Sequence, residues 1–241
     1  MEKPTWAVVV DFDNTLIRNS LHFQIEESGI LKEDLHAELV GLRNQNLARL
    51  DELSDEESYN WAAMAVEAYV NSGLTMEAVE EVLKGTEFKK GVIEFIDFLG
   101  ENNIPIAIIS SGIDDFIKII LRNYNLSFSI NEVFATKLIT DFYDCGRSLG
   151  RIRGFCSESV VTPGNKRDFS LRFSKTFQVP YESILAIGDS SFDRNLGYLK
   201  KNRLGVAETQ EKAEKIAPFF GEVTITDHFA SVQEWVMRKI S

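Results

Sequence analysis

Six short apolar runs, spaced along the chain with amphipathic stretches between most of them, limit the folds open to this sequence. The first, Trp6–Val10, is rich in valine and stops abruptly at Asp11, the pattern of a strand buried on both faces of a parallel sheet. Similar runs recur at Ile104–Ile109, Val133–Ala135, Ile184–Ile187, Leu204–Ala207 and Val223–Ile225. The stretches between them carry helical spacing: Val92, Ile96 and Leu99; Phe116, Ile117, Ile120 and Leu121; Phe169, Phe173 and Phe177; Phe192, Leu196 and Leu199; Phe229, Val232 and Val236. Strands alternating with helices require right-handed crossovers, so the expected fold is α/β, a doubly wound parallel sheet.

Residues 18–88 break the alternation. They show helical spacing and no strand: Leu35, Leu39 and Leu42; Leu50 and Leu53; Trp61, Met64, Ala65 and Ala68; Val79, Val82 and Leu83. Ser54 followed by Glu57 fits a capping box, Thr75 can cap the next helix and Gly85 suits its end. An insertion of this length exceeds an ordinary crossover. The expected organisation is therefore an α/β core of residues 1–17 and 89–241, with a small α-helical cap inserted at 18–88. Residues 136–165, punctuated by Gly146, Gly150, Gly154 and Gly164, are expected to form a hairpin flap or a mobile loop.

Composition narrows the partners. With 44% apolar and 26% charged residues in 241, the chain is neither disordered nor fibrous. Its 37 acidic against 26 basic residues give a net charge of -11, which repels nucleic acid and anionic lipid. No apolar run reaches the roughly 18 residues of a membrane helix, and Met1–Thr5 is a short polar lead, so a cytoplasmic location is expected. Cys145 and Cys156 form no CxxC pair, which favours isolated thiols over a zinc site or disulfide.

Ligands of an open parallel sheet gather at the carboxyl ends of its strands. The residues just past these ends form a set: Asp11 and Asp13 in Asp-Phe-Asp-Asn-Thr; Ser110, Ser111 and Gly112; Gly188, Asp189 and Asp193; and Lys166 at an expected helix start. Each part alone has an ordinary reading as a turn, a cap or a surface lysine. Together, four aspartates at one sheet edge would repel one another unless a cation neutralised them, and their oxygens suit Mg²⁺.

Taken in order, Asp11-Phe12-Asp13-Asn14-Thr15, Ser110-Ser111-Gly112, Lys166, and Gly188-Asp189-Ser190-Ser191-Phe192-Asp193 resemble the four motifs of the haloacid dehalogenase superfamily of phosphohydrolases. The resemblance spans nearly the whole chain, and the insertion looks like the C1 helical cap of the phosphoserine-phosphatase-like branch. It implies a phosphatase of small soluble phosphomonoesters in which Asp11 attacks phosphorus and becomes an aspartyl phosphate. It further implies Mg²⁺ at Asp11, Asp13 (through its backbone carbonyl), Asp189 and Asp193, with Asp193 orienting Lys166 or a metal-bound water. Ser110, Ser111, Gly112 and Lys166 would bind the phosphoryl oxygens, and Asp13 would be the acid and base.

The sequence departs from phosphoserine phosphatases at Ser20, where they carry a glutamate for the substrate ammonium, and at Ser111 and Phe192. The run Ser110-Ser111-Gly112-Ile113-Asp114-Asp115 is similar to that of pyrimidine 5′-nucleotidases, which have a larger cap. His22, Arg43 and Trp61 are candidates for cap contacts to substrate. Two other readings share the motif chemistry: a phosphomutase, and a receiver-like signalling module, which lacks both the DxD spacing and the inserted cap.

Overall fold

The computed structural model describes residues 4–47, 49, 52–144 and 147–241. Six parallel strands form the main sheet: β1 (Ala7–Val10), β2 (Ile106–Ile113), β3 (Glu132–Thr136), β6 (Ile184–Gly188), β7 (Arg203–Ala207) and β8 (Glu222–Ile225), in the order β3-β2-β1-β6-β7-β8. All six coincide with the apolar runs. Side chains alternate across the sheet with period two. Val8, Val10, Ile106, Ile108 and Ile187 pack on one face and Ala7, Val9, Ala107, Ile109 and Ala186 on the other. The first face is covered by α5 (Val92–Glu101), α6 (Asp114–Asn123) and α9 (Ala230–Ile240), the second by α7 (Lys166–Phe177), while α8 (Gln210–Ile216) covers β7 near the sheet edge. After β1 the chain builds outward through β2 and β3, and later through β6, β7 and β8 on the other side. The crevice at the β1/β6 boundary is thus the topological switch point where such sheets bind ligands.

Residues between β1 and α5 form four helices: α1 (Leu21–Glu27), α2 (Glu33–Leu47), α3 (Asp55–Ser72) and α4 (Met76–Leu83). The Ser54 hydroxyl accepts from Glu57 N–H while the Glu57 carboxylate accepts from Ser54 N–H, a complete capping box for α3. Gly73 ends α3 with φ of 68°, a left-handed conformation that glycine adopts without steric cost. Leu39, Ala65, Tyr69, Val79 and Leu83 belong to the same continuous apolar cluster as Val8 and Ile108, so the insertion is packed against the sheet layer. Leu50 lies outside the described residues.

The stretch after β3 is an antiparallel hairpin, β4 (Leu138–Asp144) and β5 (Arg147–Phe155); its tip, Cys145 and Gly146, lies outside the described residues. The hairpin packs on the insertion, with Ile152 N–H donating to Leu74 O at 2.9 Å. Asp115 accepts from Leu138 N–H at the hairpin's base, at 2.9 Å, and from the Ser148 hydroxyl. One expected helix is absent. Phe192, Leu196 and Leu199 do not share a helical face: Ser191–Asn195 is a 3₁₀ turn, Leu196 is extended and Gly197 is left-handed at φ 67°. The cause is Asp193, which turns back to accept hydrogen bonds from Asp189 and Ser190 and closes the turn early.

Candidate active site

The loop after β1 places the first aspartates. Asp11 N–H donates to Ile187 O at 2.9 Å, continuing the β1/β6 ladder by one residue, and Phe12 is fully buried beneath it. Asn14 is left-handed at φ 58°, and Thr15, Leu16 and Ile17 direct their N–H groups back at Phe12 O. Buried Lys89 holds this turn, its Nζ donating to Asn14 O at 2.5 Å and pairing with Glu208 at 3.0 Å. The result is that Asp11 and Asp13, on either side of Phe12, both line one cavity.

Lys166, the first residue of α7, sends its ammonium between two carboxylates: 2.8 Å from Asp11 Oδ1 and 2.6 Å from Asp193 Oδ1. Its side chain is 1% exposed. The other Asp193 oxygen accepts from Asp189 N–H at 3.0 Å, Ser190 N–H at 3.2 Å and the Ser190 hydroxyl at 3.3 Å. Asp189 accepts from Thr15 Oγ1 at 3.1 Å and from Lys212 Nζ at 2.6 Å. Oxygens of Asp11, Asp189 and Asp193 lie within 4.8 Å of one another. Asp13 stands apart from that trio: its carboxylate accepts from Leu21 N–H at 3.0 Å and the Ser20 hydroxyl at 3.3 Å.

Electrostatics follow from crowding in a dry place. Burial pushes the Asp11 carboxyl well up, with Asp193 and Asp189 adding to the rise and Lys166 opposing it. Burial also raises Asp189, against Lys212. Asp13 is pushed up to about 6, chiefly by burial, against its bonds from Leu21 and Ser20. For Lys166, burial would lower the ammonium's pKa, but Asp11 and Asp193 more than offset it and raise it.

At the carboxyl end of β2, Ser110 is buried and its Oγ accepts from Gly112 N–H at 3.0 Å. A Cβ on Gly112 would lie 3.2 Å from Asp13 Oδ2 and from Ser110 Oγ, so a small residue lets this turn approach Asp13. Ser111 Oγ is buried with no hydrogen-bond partner among the described residues, an open donor at the same mouth. Together these residues edge a cavity of about 190 Å³. Its other wall, from α1 and α3, is mostly apolar: Phe23, Trp61, Ala62 and Ala65, with Phe192 from the 3₁₀ turn opposite.

Of the residues singled out at the strand ends, Asp11, Asp13, Ser110, Ser111, Gly112, Lys166 and Asp189 line this cavity, Asp193 joins them through Lys166, and Gly188 packs against Asp193 behind it. Of the three candidates for cap contacts, His22 and Trp61 line the cavity; Arg43 stands behind it, paired with Glu26 at 2.7 Å and stacked over Phe23. The sequence reading missed Lys212, Lys89 and Asp55. Asp55 accepts from Gly164 N–H at 2.7 Å, tying the start of α3 to the loop before Lys166. Lys212 had one usable signal, its place in the first turn of a helix that starts just past a sheet strand.

The sequence profile described as pyrimidine 5′-nucleotidase (UMPH-1) matches residues 14–220. A putative cytosolic 5′-nucleotidase 3 of Caenorhabditis elegans is 27% identical over 178 residues, 64% of this chain and 47% of that protein, so the chain spans about half its length. A 2-hydroxy-3-keto-5-methylthiopentenyl-1-phosphate phosphatase of Bacillus thuringiensis subsp. konkukian is 26% identical over 170 residues, covering 68% of this chain and 73% of the other. The fold is that of a substrate-bound phosphoserine phosphatase, with a TM-score of 0.69 at 18% identity over 97% of this chain and 99% of the other.

Proposed function

The chain belongs to the pyrimidine 5′-nucleotidase (UMPH-1) family, and on that premise we propose that it is a Mg²⁺-dependent phosphatase of small phosphomonoesters, with pyrimidine nucleoside monophosphates as the leading substrates. The observation that carries this reading is the buried Lys166 ammonium between Asp11 and Asp193, at the head of a cavity whose far wall is aromatic. Residues 1–17 and 89–241 supply the chemistry, while 18–88 act as the cap; the hairpin packed on α3 and α4 braces the cap side.

The donor set fits a hard divalent cation. Three carboxylates converge within 4.8 Å, two of them are raised by burial and mutual repulsion, and Asp189 already draws a lysine ammonium. Asp11, Asp189 and the backbone carbonyl of Asp13 would hold Mg²⁺. Asp193, whose oxygens are occupied by Lys166, Asp189 and Ser190, fits better as the residue that orients Lys166. When bound, the ion would screen the charge between the Asp11 carboxylate and the phosphoryl oxygens.

The protein groups divide the remaining work. Lys166, Ser110 and Ser111 bind phosphoryl oxygens, the unpaired Ser111 hydroxyl being free to turn toward one. An Asp11 oxygen attacks phosphorus in line, forming the Asp11 O–P bond as the bond to the leaving oxygen breaks. Asp13, held by Leu21 and Ser20 and with a pKa of about 6, gives its proton to that oxygen. It then takes a proton from the water whose oxygen bonds to phosphorus, which releases Asp11 and inorganic phosphate.

Phe23, Trp61 and Phe192 offer ring faces and edges to a flat nucleobase. The small cavity and the similarity to the Bacillus enzyme support a second substrate, a short phosphorylated ketone of the kind named for that enzyme. A screen of phosphorylated metabolites with Mg²⁺, including UMP, CMP, phosphoserine, phosphoethanolamine and phosphosugars, tests the proposal. Turnover of nucleotides that is lost in Asp11→Asn is expected. Turnover confined to phosphoserine would overturn the substrate assignment, and phosphate release by the Asp11→Asn variant would overturn the mechanism.

A further inference from the structure

The helical wall of the cavity carries two polar side chains that the chemistry above does not use, His22 and Ser58. Ser58 Oγ is buried and has no hydrogen-bond partner among the described residues. His22 Nδ1 lies 2.6 Å from the hydroxyl of Tyr69, a side chain with no exposed surface. Among the described residues the Tyr69 hydroxyl has no other partner, and His22 Nε2 has none.

This pairing decides the tautomer. If His22 carried its proton on Nδ1, the phenol proton of Tyr69 would be left without an acceptor in an apolar interior, which is the more costly arrangement. Tyr69 therefore donates to Nδ1, and the imidazole keeps its proton on Nε2. Burial lowers the imidazole's pKa to about 4, so the ring is neutral near pH 7, and burial raises the Tyr69 phenol, which remains a donor. The orientation is fixed as well: the two rings stack at 20°, and Phe116 meets His22 edge-on. His22 directly follows Leu21, whose N–H holds Asp13, so the ring is placed on the leaving-group side.

Resting on the phosphatase reading, we propose that His22 is a specificity-determining residue whose Nε2–H donates to a carbonyl oxygen of the leaving group, with Tyr69 as the positioning residue that fixes its tautomer. A neutral donor selects acceptors and has no pull on an ammonium group. Ser58 offers a second hydrogen bond beside it. A pyrimidine ring and a short phosphorylated ketone both carry such a carbonyl, and substrates can tell them apart.

The test compares kcat/KM for UMP, dihydroxyacetone phosphate and phenyl phosphate, the last having no carbonyl, in the wild-type protein with Mg²⁺ and in His22→Phe, His22→Gln and Tyr69→Phe. The expected result is an about tenfold fall, carried by KM, in the preference for a carbonyl substrate over phenyl phosphate in His22→Phe. Partial recovery is expected in His22→Gln, which keeps a donor, and an intermediate loss in Tyr69→Phe. The carbonyl substrate with the larger loss identifies the oxygen that His22 meets. Because a poorly folded variant lowers all three activities together, the ¹⁵N spectrum of wild-type His22 provides a variant-free readout, and it should show Nδ1 as acceptor and Nε2 protonated. An Nδ1–H tautomer, or an unchanged preference in folded His22→Phe, overturns the inference. Absence of turnover of all three substrates by the wild-type protein overturns the phosphatase reading beneath it.

Discussion

Lys166 shows how much one side chain controls at this site. Its ammonium separates Asp11 from Asp193, so Lys166→Met leaves two buried carboxylates without their shared counter-charge. Steady-state kinetics should show kcat lower by about 10²-fold or more, in the range for loss of one group that stabilises transition-state charge. Asp13→Asn should abolish turnover as fully as Asp11→Asn, because an amide can neither give nor take the proton. His22 makes a separate prediction about pH. Its imidazole titrates at 6.5 when unfolded and about 4 when folded, so between these values the unfolded chain binds the extra proton. The stability this group confers is complete above about pH 6.5 and is lost as pH falls toward 4, up to about 3 kcal/mol. Denaturant unfolding at pH 7 and 4.5 should therefore show a smaller loss on acidification in His22→Gln than in the wild-type protein; an equal loss would contradict the assignment.

At the scale of elements, the contact between α3 and the loop before α7 joins the helical insertion to the segment that carries Lys166. A Cβ on Gly164 would lie 1.8 Å from Asp55 Oδ2, so Gly164→Ala must push the carboxylate aside and break its hydrogen bond. Gly164→Ala and Asp55→Ala should each cost about 1 kcal/mol in chemical denaturation, and the double variant no more than either alone, since both remove one interaction. Additive losses would show that the contact is not shared. The six strands were legible in the sequence because short, largely apolar runs of three to six residues between helical stretches have few other uses. The hairpin at residues 138–155 does not separate from a loop in sequence because arginines and glycines interrupt its alternation and half its residues are exposed. The expected helix at Phe192–Leu199 has the right spacing, but Asp193 overrides it by accepting hydrogen bonds from Asp189, Ser190 and Lys166. Strand-end residues were readable because topology sends them to one edge. Lys89 was not, since nothing local distinguishes it from a lysine in solvent, and Lys212 carried only the weak signal of its place in the first turn of a helix past β7.

For the whole molecule, charge and fold act together. On the proposed function, the net charge of -11 would repel anionic substrates at long range, whereas Lys166 and a cation held by the aspartates would attract a phosphate at short range. Raising ionic strength from low to physiological should therefore lower KM for a nucleotide; a KM that rises with salt would show that net attraction steers the substrate. No helix among the described residues is long and apolar enough to cross a membrane. The central claim is that phosphate passes through Asp11. Rapid acid quench of the protein during turnover of UMP with Mg²⁺, followed by peptide mass spectrometry, tests it most directly. One phosphoryl group is expected on the peptide containing Asp11, absent without substrate and absent in Asp11→Asn, which should be inactive. Phosphate release at the wild-type rate by Asp11→Asn, or a phosphoryl group trapped on another residue, would contradict it.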